Sequence, residues 1–163
     1  MNIPANVATA ELEEMVQRHV EEAEKVFDTF NTAGIPVCMD TVNILTVLDE
    51  RHNTQHGSSI SEYIPWVEFS AVNRSIQVIS KMSAKIDQLF QLAHESMEMG
   101  NLSKAEDYVN LITEGMDIGT KLLEEVMAFN KKAMPLLNTE ETQLICDAHD
   151  ANSAVVKSFS EQK

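Results

Sequence analysis

The sequence predicts an all-α protein, an elongated up-and-down antiparallel bundle of about five helices. Apolar residues recur at three- and four-residue steps almost throughout, and no run of four or more residues alternates strictly as a half-buried strand does. Five glycines and four prolines are too few for a sheet-rich protein with many tight turns. The chain has 163 residues, 44% of them hydrophobic, so we expect one core and a single domain over residues 1–163.

The N-terminal part predicts two helices, over about residues 7–33 and 40–55. One face of the first helix carries six residues at alternating four- and three-residue steps: Leu12, Val16, His19, Ala23, Val26 and Phe30. Gly34 can adopt the left-handed cap, and Pro36 then prevents continuation of the helix. Asp40 is a favourable N-cap for the second helix.

A long helical hairpin follows, with a third helix over about residues 65–99. Pro65 suits the first helical position because its missing N–H would be unpaired there. The seam of this helix keeps heptad steps over eight positions: Val72, Ile76, Ile79, Ser83, Ile86, Phe90, Ala93 and Met97. Gly100 can end the helix in a left-handed conformation.

The fourth and fifth helices are predicted over about residues 103–132 and 139–159. Ser103 with Glu106 makes a capping box, and the "GMDIG" spacing of two glycines indicates close helix packing or a groove. Asn138 or Thr139 caps the last helix, whose seam is Leu144, Ala148, Ala151, Val155 and Phe159. Helices joined by short loops fold back antiparallel, so the third and fourth helices should form the central hairpin.

The stretch "LAHESMEMGNLSKAEDYV" resembles the inner turn of a tetratricopeptide-type repeat. Ala93 and Ala105 are small residues on either side of the turn glycine Gly100, where two helices must approach closely. The resemblance covers residues 81–115 at most, and no second copy follows. A solenoid needs about three such units, so an ordinary helical corner is the simpler interpretation.

The charge balance narrows the classes of partner. Acidic residues number 26 against 12 Lys and Arg, a formal net charge of −14. Such a molecule repels phosphate backbones and anionic membranes, so we expect neither direct nucleic-acid binding nor membrane binding. With no signal sequence and no apolar stretch of about 18 residues, a cytoplasmic protein is expected, with Cys38 and Cys146 reduced.

Few residues suggest metal or catalytic chemistry. In "HNTQH", His52 and His56 are one helical turn apart and could bind a divalent cation, although histidines at a helix end also favour the helix dipole. The "CDAHD" segment offers a thiol and an imidazole without an activating environment. His94, Met97 and Met99 could together bind a soft metal such as Cu(I). However, Met97 and Met99 are about 200° apart around the helix axis, so their sulfur atoms would not converge on one ion. We therefore expect that the protein binds no cofactor and has no enzymatic activity.

Two groups of residues are candidates for contact with a partner protein. One is the acidic face of the first helix: Glu11, Glu14, Glu21, Glu22 and Asp28. The other is the aromatic cluster "YIPWVEF", with Tyr63, Trp66 and Phe69, which could be core or an interface anchor.

These residues favour a non-enzymatic interaction protein, an adaptor, regulator or secretion-type chaperone that binds a protein with a basic or amphipathic segment. Small acidic chaperones of bacterial secretion systems are similar in size and charge. The alternatives are a nucleic-acid-mimicking inhibitor of a nuclease or DNA-binding complex and a metal-binding bundle. An apolar face left over after the bundle closes could also serve a homodimer.

Overall fold

The computed structural model describes the backbone of residues 9–56 and 66–161 and the side chains of residues 10–51 and 67–161. Within these ranges no strand occurs, and the all-α prediction is confirmed. The described chain forms four long helices rather than about five: α1 (Thr9–His56), α2 (Trp66–Glu98), α3 (Leu102–Ala133) and α4 (Thr139–Glu161). A short 3₁₀ turn, Met134–Leu136, leads from α3 towards α4.

α1 is one continuous helix of 48 residues, so the predicted break between residues 33 and 40 is wrong. Gly34 is helical and buried, and a Cβ there would lie 3.2 Å from the Leu123 Cδ2 atom. Its missing side chain therefore lets α1 approach α3. Pro36 leaves one backbone carbonyl without its helical donor, but its ring is fully buried, which compensates part of that cost. Asp40 is an interior helical residue and not an N-cap.

The hairpin of α2 and α3 confirms the predicted third and fourth helices to within a few residues. Gly100 has a φ of 76°, the one positive φ in the described chain. The Asn101 N–H donates to the Ser96 carbonyl at 2.8 Å and the Gly100 N–H to the Met97 carbonyl at 3.0 Å. These two bonds form the Schellman arrangement that a C-terminal glycine permits. Pro65 lies outside the described residues.

The predicted capping box of α3 is wrong. The N-cap is Asn101, whose Oδ1 accepts a hydrogen bond from the Lys104 backbone N–H at 3.2 Å. Glu106 therefore lies beyond the first turn, and it is buried at 3% exposure. Its Oε2 atom is 2.9 Å from Nδ1 of His19 on α1. The buried acid thus joins α3 to α1 instead of capping its own helix.

Contacts between the helices give their directions. His19 meets Glu106 near the start of α1 and α3, and Thr41 donates to Asn130 near the other end of the pair, so these two helices are parallel. Their partners α2 and α4 run the opposite way. The chain therefore runs up, down, up and down. The most extensive packing joins α2 to α3, and α1 packs more closely on α3 and α4 than on α2.

The core consists of two buried clusters placed end to end along the bundle. The cluster near the hairpin turn contains Val16, Val20, Ala23, Phe27, Ile86, Phe90, Leu102, Ala105, Val109, Ile112 and Met116. The other contains Ile44, Leu45, Leu48, Val72, Ile79, Leu123, Val126, Phe129, Ala133 and Ile145. Gly119 lies between them, where an added Cβ would collide with the end of the Met82 side chain. The close packing predicted from the glycine spacing is confirmed.

α4 lies along the second half of α1. Its predicted N-terminus is confirmed, because Asn138 and Glu141 exchange side-chain to backbone hydrogen bonds of 2.9 and 2.8 Å. Its predicted seam is wrong, since Leu144, Val155 and Phe159 are 60%, 54% and 65% exposed. The adjacent residue Ile145 is buried instead. A neighbouring stripe of the helix therefore faces α1.

Candidate protein-binding groove

A predominantly apolar groove lies between α1 and α2 and is called here the α1/α2 groove. It encloses about 380 Å³. Ile35, Met39 and Val42 lie along it and are 42%, 40% and 51% exposed. The full lining is Phe30, Asn31, Gly34, Ile35, Cys38, Met39, Val42 and Asn43 of α1 with Ile76, Ile79, Ser80 and Ser83 of α2.

Small side chains explain why this groove stays open. Ser80 and Ser83 occupy the α2 wall, at positions where larger apolar side chains would reach across to α1. Asn31 faces Ser83 at a long 3.5 Å between Oδ1 and Oγ, and Gly34 adds no side chain. α1 is held close to α3, so the space towards α2 is not filled.

A separate acidic cavity lies next to the groove along the same two helices and is called here the acidic end. This second cavity, of about 450 Å³, begins one helical turn further along both walls, at Asp28 on α1 and Asp87 on α2. Glu21 and Glu24 also line it, and its floor includes Phe27 and Phe90, whose ring centroids are 5.7 Å apart. Among the described residues of this lining, Lys25 is the one that carries an ammonium group. Four carboxylates around aromatic rings give this end a negative potential.

Two contacts hold the acidic side chains in place. The His94 Nε2 atom is 2.5 Å from Oε1 of Glu24 and links α2 to α1. The Ser160 hydroxyl donates to Oδ2 of Asp28 at 2.5 Å and brings the end of α4 to the same place. The packing does not favour the soft-metal set, because the Nε2 atom of His94 is engaged with Glu24 and Met99 is 84% exposed.

The structure separates the predicted acidic contact residues into two sets. Asp28 and Glu21 line the acidic end, and Glu14 lies in the next cleft along α1, whose lining includes Glu21. These three are seven residues apart and so form one row. Glu11 and Glu22 are exposed but are turned out of this row by about 80 to 100°. Two of the five, Glu21 and Asp28, therefore line the acidic end, and Glu14 lines the neighbouring cleft.

Of the three aromatic candidates, only Phe69 has a side chain within the described residues. Phe69 is half-buried and packs on the cluster around Ile44 and Val126. Trp66 begins α2, but its side chain and all of Tyr63 lie outside the described residues. For Phe69, the core interpretation is therefore the one that the packing supports.

Both cysteines are free, as expected. Cys38 is half-buried and lines the α1/α2 groove, and burial raises the pKa of its thiol. Cys146 is exposed on α4. The two thiols therefore differ in accessibility and lie at different sites.

A separate polar contact joins α4 to α1. Oδ2 of Asp40 is 2.6 Å from Nδ1 of His149, beside a cavity of about 260 Å³ between α1, α3 and α4. The other oxygen, Oδ1, is buried and has no hydrogen-bond partner among the described residues. Burial raises the pKa of the Asp40 carboxyl, while the hydrogen bond and the charge of His149 act in the opposite direction. Cys146 and Asp150 line the same cavity, but the Nδ1 atom of the imidazole is engaged with Asp40.

The metal candidates His52 and His56 have side chains outside the described residues, so their arrangement stays a prediction. Among the described residues, no three His, Cys, Asp or Glu side chains converge as metal ligands would. Likewise, none of the described helices combines the length and apolar content needed to cross a membrane.

Sequence reasoning missed the apolar half of the groove. Residues 34–39 were expected to connect two helices, so Ile35, Cys38 and Met39 were not considered as a surface. The signal was present, because the helical spacing continues from Phe30 through Gly34 to Cys38. Comparison with models of protein families, with curated proteins and with solved structures finds no match for this chain.

Proposed function

We propose that this chain is a non-enzymatic interaction module that holds an amphipathic helical segment of another protein in the α1/α2 groove. The observation that carries the proposal is the open apolar groove itself, with three large apolar side chains at 40 to 51% exposure along it. Exposed apolar surface of this kind, bordered by charge, is typical of a docking site. A helix laid in a groove with its apolar stripe inwards is a common recognition mode.

The length of the groove fits a helical ligand. The lining runs along α1 from Glu21 to Val42, which is about 30 Å at 1.5 Å per residue. A ligand helix of about 20 residues covers that distance. Its apolar side chains would replace water around Ile35 and Met39.

The charge distribution favours a basic residue cluster at one end of the ligand. The carboxylates of Glu21, Glu24, Asp28 and Asp87 surround the acidic end, and the net charge of −14 attracts cations over a longer distance. Electrostatic complementarity of this kind accelerates association and fixes the orientation of the bound helix. The apolar end supplies contacts that salt does not screen.

A designed peptide tests this directly. The probe is a fluorescein-labelled amphipathic helix of about 20 residues, with a leucine stripe and a cluster of lysines at one end. We expect saturable binding by fluorescence anisotropy, weakened but not abolished by salt. Met39→Glu places a carboxylate in the apolar half and should weaken binding at least about tenfold. The matched control is Val26→Glu, at an exposed apolar position of α1 more than 120° away.

Two results would contradict the proposal. One is no saturable binding of any amphipathic peptide by the folded protein. The other is binding that Met39→Glu and Val26→Glu weaken equally, which would place the ligand elsewhere.

A second candidate is imitation of nucleic acid, and the acidic row of Glu14, Glu21 and Asp28 favours it. These carboxylates follow one another at about 10 Å along α1, with Glu24 beside the row. If a nuclease channel contacted this row alone, its affinity for the protein would fall steeply as the salt concentration rises. Glu14→Gln with Glu21→Gln would then abolish binding, whereas Met39→Glu would leave it unchanged.

A further inference from the structure

The side of the α2–α3 hairpin that faces away from α1 carries a second apolar surface, called here the back face. It is formed by Val78 and Leu92 on α2 and by Leu111 and Ile118 on α3. These residues are 40%, 39%, 51% and 56% exposed. The half-buried side chains of Leu89 and Leu122 extend it.

Helical geometry separates the back face from the α1/α2 groove. Val78 is two residues from Ile76 and from Ser80, both of which line the groove, so it is turned about 160 to 200° from them around α2. Leu111 precedes the fully buried Ile112 and lies about 100° from it. The two surfaces can therefore be occupied independently.

The spacing makes the back face a pair of straight stripes. Val78 and Leu92 are two heptads apart, and Leu111 and Ile118 one heptad apart, which keeps each pair on one line of its helix. Because α2 and α3 are antiparallel and Ile86 packs at Gly115, Leu92 lies within about one turn of Leu111. Such a two-helix surface matches another two-helix surface of the same kind.

The outer side of the hairpin has the area that a stable association requires. Each hairpin helix is about 48 Å long, and two helices packed side by side are about 18 Å wide. The whole side, including the charged residues between and beyond the four apolar ones, therefore offers about 800 Å² to each partner, the amount that a standard protein interface buries. One further helix could not cover it, whereas a second hairpin could.

The distribution of charge on the back face favours a second copy of the chain as its partner. The groove side of the molecule is acidic, but the back face carries both signs, with Lys85 midway between Val78 and Leu92 and Glu125 one heptad after Ile118. A chain with a net charge of −14 repels its own copies least through a surface of mixed sign, which can pair with itself. We propose that the back face binds a second copy of this chain, forming a four-helix interface of two hairpins.

Multi-angle light scattering of the purified full chain over a range of concentrations tests the proposal. We expect a mass near twice 18.2 kDa. Leu111→Glu with Ile118→Glu should raise the dimer dissociation constant at least about 100-fold, since two charges would be buried, with an unchanged circular dichroism spectrum. Leu92→Glu on the other helix should act in the same direction. Val26→Glu, at an exposed residue of α1, should leave the dimer intact.

A monomer at all concentrations up to the highest attainable would overturn the proposal. So would a dimer that survives the back-face substitutions in the folded protein but dissociates with Met39→Glu, since the groove would then be the self-association site. Neither result affects peptide binding by a monomer, so the groove and the back face can fail separately.

Discussion

The α2–α3 hairpin and α4 are attached to the rest of the molecule by different kinds of contact. α3 buries eleven residues, from Leu102 to Ala133, almost all of them apolar. α4 buries one, Ile145, and it also makes polar contacts with α1, including those of Asp40 with His149 and of Ser160 with Asp28. Packing therefore holds the hairpin, whereas hydrogen bonds and ion pairs hold much of α4.

This difference predicts a graded stability. Burial of apolar area is the larger and less pH-sensitive contribution, while exposed ion pairs contribute little and are screened by salt. We expect α4 to open from α1 at a lower free energy than the cooperative unfolding of α1, α2 and α3. α4 also borders the acidic end of the groove through Ser160, so its opening would enlarge that end.

Ile112→Ala should produce the largest effect. Ile112 is 0% exposed in the centre of the hairpin core, and removing three carbons leaves a cavity that costs about 3 kcal/mol of unfolding free energy. Urea denaturation followed by circular dichroism measures it. Leu144→Ala, at a 60% exposed residue of α4, is the control and should cost less than about 0.5 kcal/mol. Equal losses would contradict the assigned core.

Ile145→Ala should weaken one helix and not the whole fold. Ile145 is 3% exposed, so the lost packing is worth about 2 kcal/mol. Hydrogen exchange read by mass spectrometry should accelerate in residues 139–161 and stay unchanged in residues 102–133. Equal acceleration in both segments would show that α4 and the hairpin unfold together.

Arg51→Met should have a smaller effect on α4. The guanidinium donates to Glu141 at 2.8 Å and to the Leu136 carbonyl at 2.7 Å, and its side chain is 22% exposed. Loss of these bonds should cost about 1 kcal/mol in the docking of α4, measured by the same exchange experiment. Lys157→Met, at an exposed position of α4, should change nothing. If Arg51→Met exchanges at the wild-type rate, the hydrogen bonds of Arg51 do not stabilise the docking of α4.

Asp40→Asn gives the smallest effect, and its sign depends on pH. The pKa of the folded carboxyl lies above its ordinary 3.8 because of burial, so the folded state binds this proton more readily than the unfolded chain. The contribution of Asp40 to stability therefore rises as pH falls through the raised value and levels off below 3.8.

Asn cannot follow that change, so the stability of the variant relative to wild type should become less favourable from pH 7 to pH 4. Urea titrations at several pH values measure this, with Asp117→Asn, at an exposed residue of α3, as control. A difference between Asp40→Asn and wild type that does not vary with pH would contradict it.

The hairpin was predictable because local and tertiary signals agree there. The apolar seam of α2 fits only one helical register. Gly100, which adopts the positive φ that a helix C-terminus favours, marks the turn. α1 was not predictable in the same way. Pro36 disfavours a helix locally, and only its burial in the folded protein compensates, which no sequence pattern displays.

α4 shows a second limit of sequence reasoning. Leu144, Val155 and Phe159 form one helical stripe, and Ile145 and Val156 lie on a neighbouring one. Either stripe could be buried, and the larger residues are the exposed ones. Which stripe faces α1 depends on the positions of Asp40 and Arg51, because these residues contact His149 and Glu141 of α4. Since the sequence suggested a loop before Asp40, this partner surface could not be foreseen.

Alkylation of the two native cysteines tests the groove most directly. Cys38 lines the groove and Cys146 does not, so one protein contains both reporter and control. With the lysine-bearing amphipathic peptide at ten times its dissociation constant, iodoacetamide should modify Cys38 about tenfold more slowly and Cys146 at an unchanged rate, as read by mass spectrometry. An unchanged rate at Cys38 under saturating peptide would contradict the assignment of the groove as the binding site.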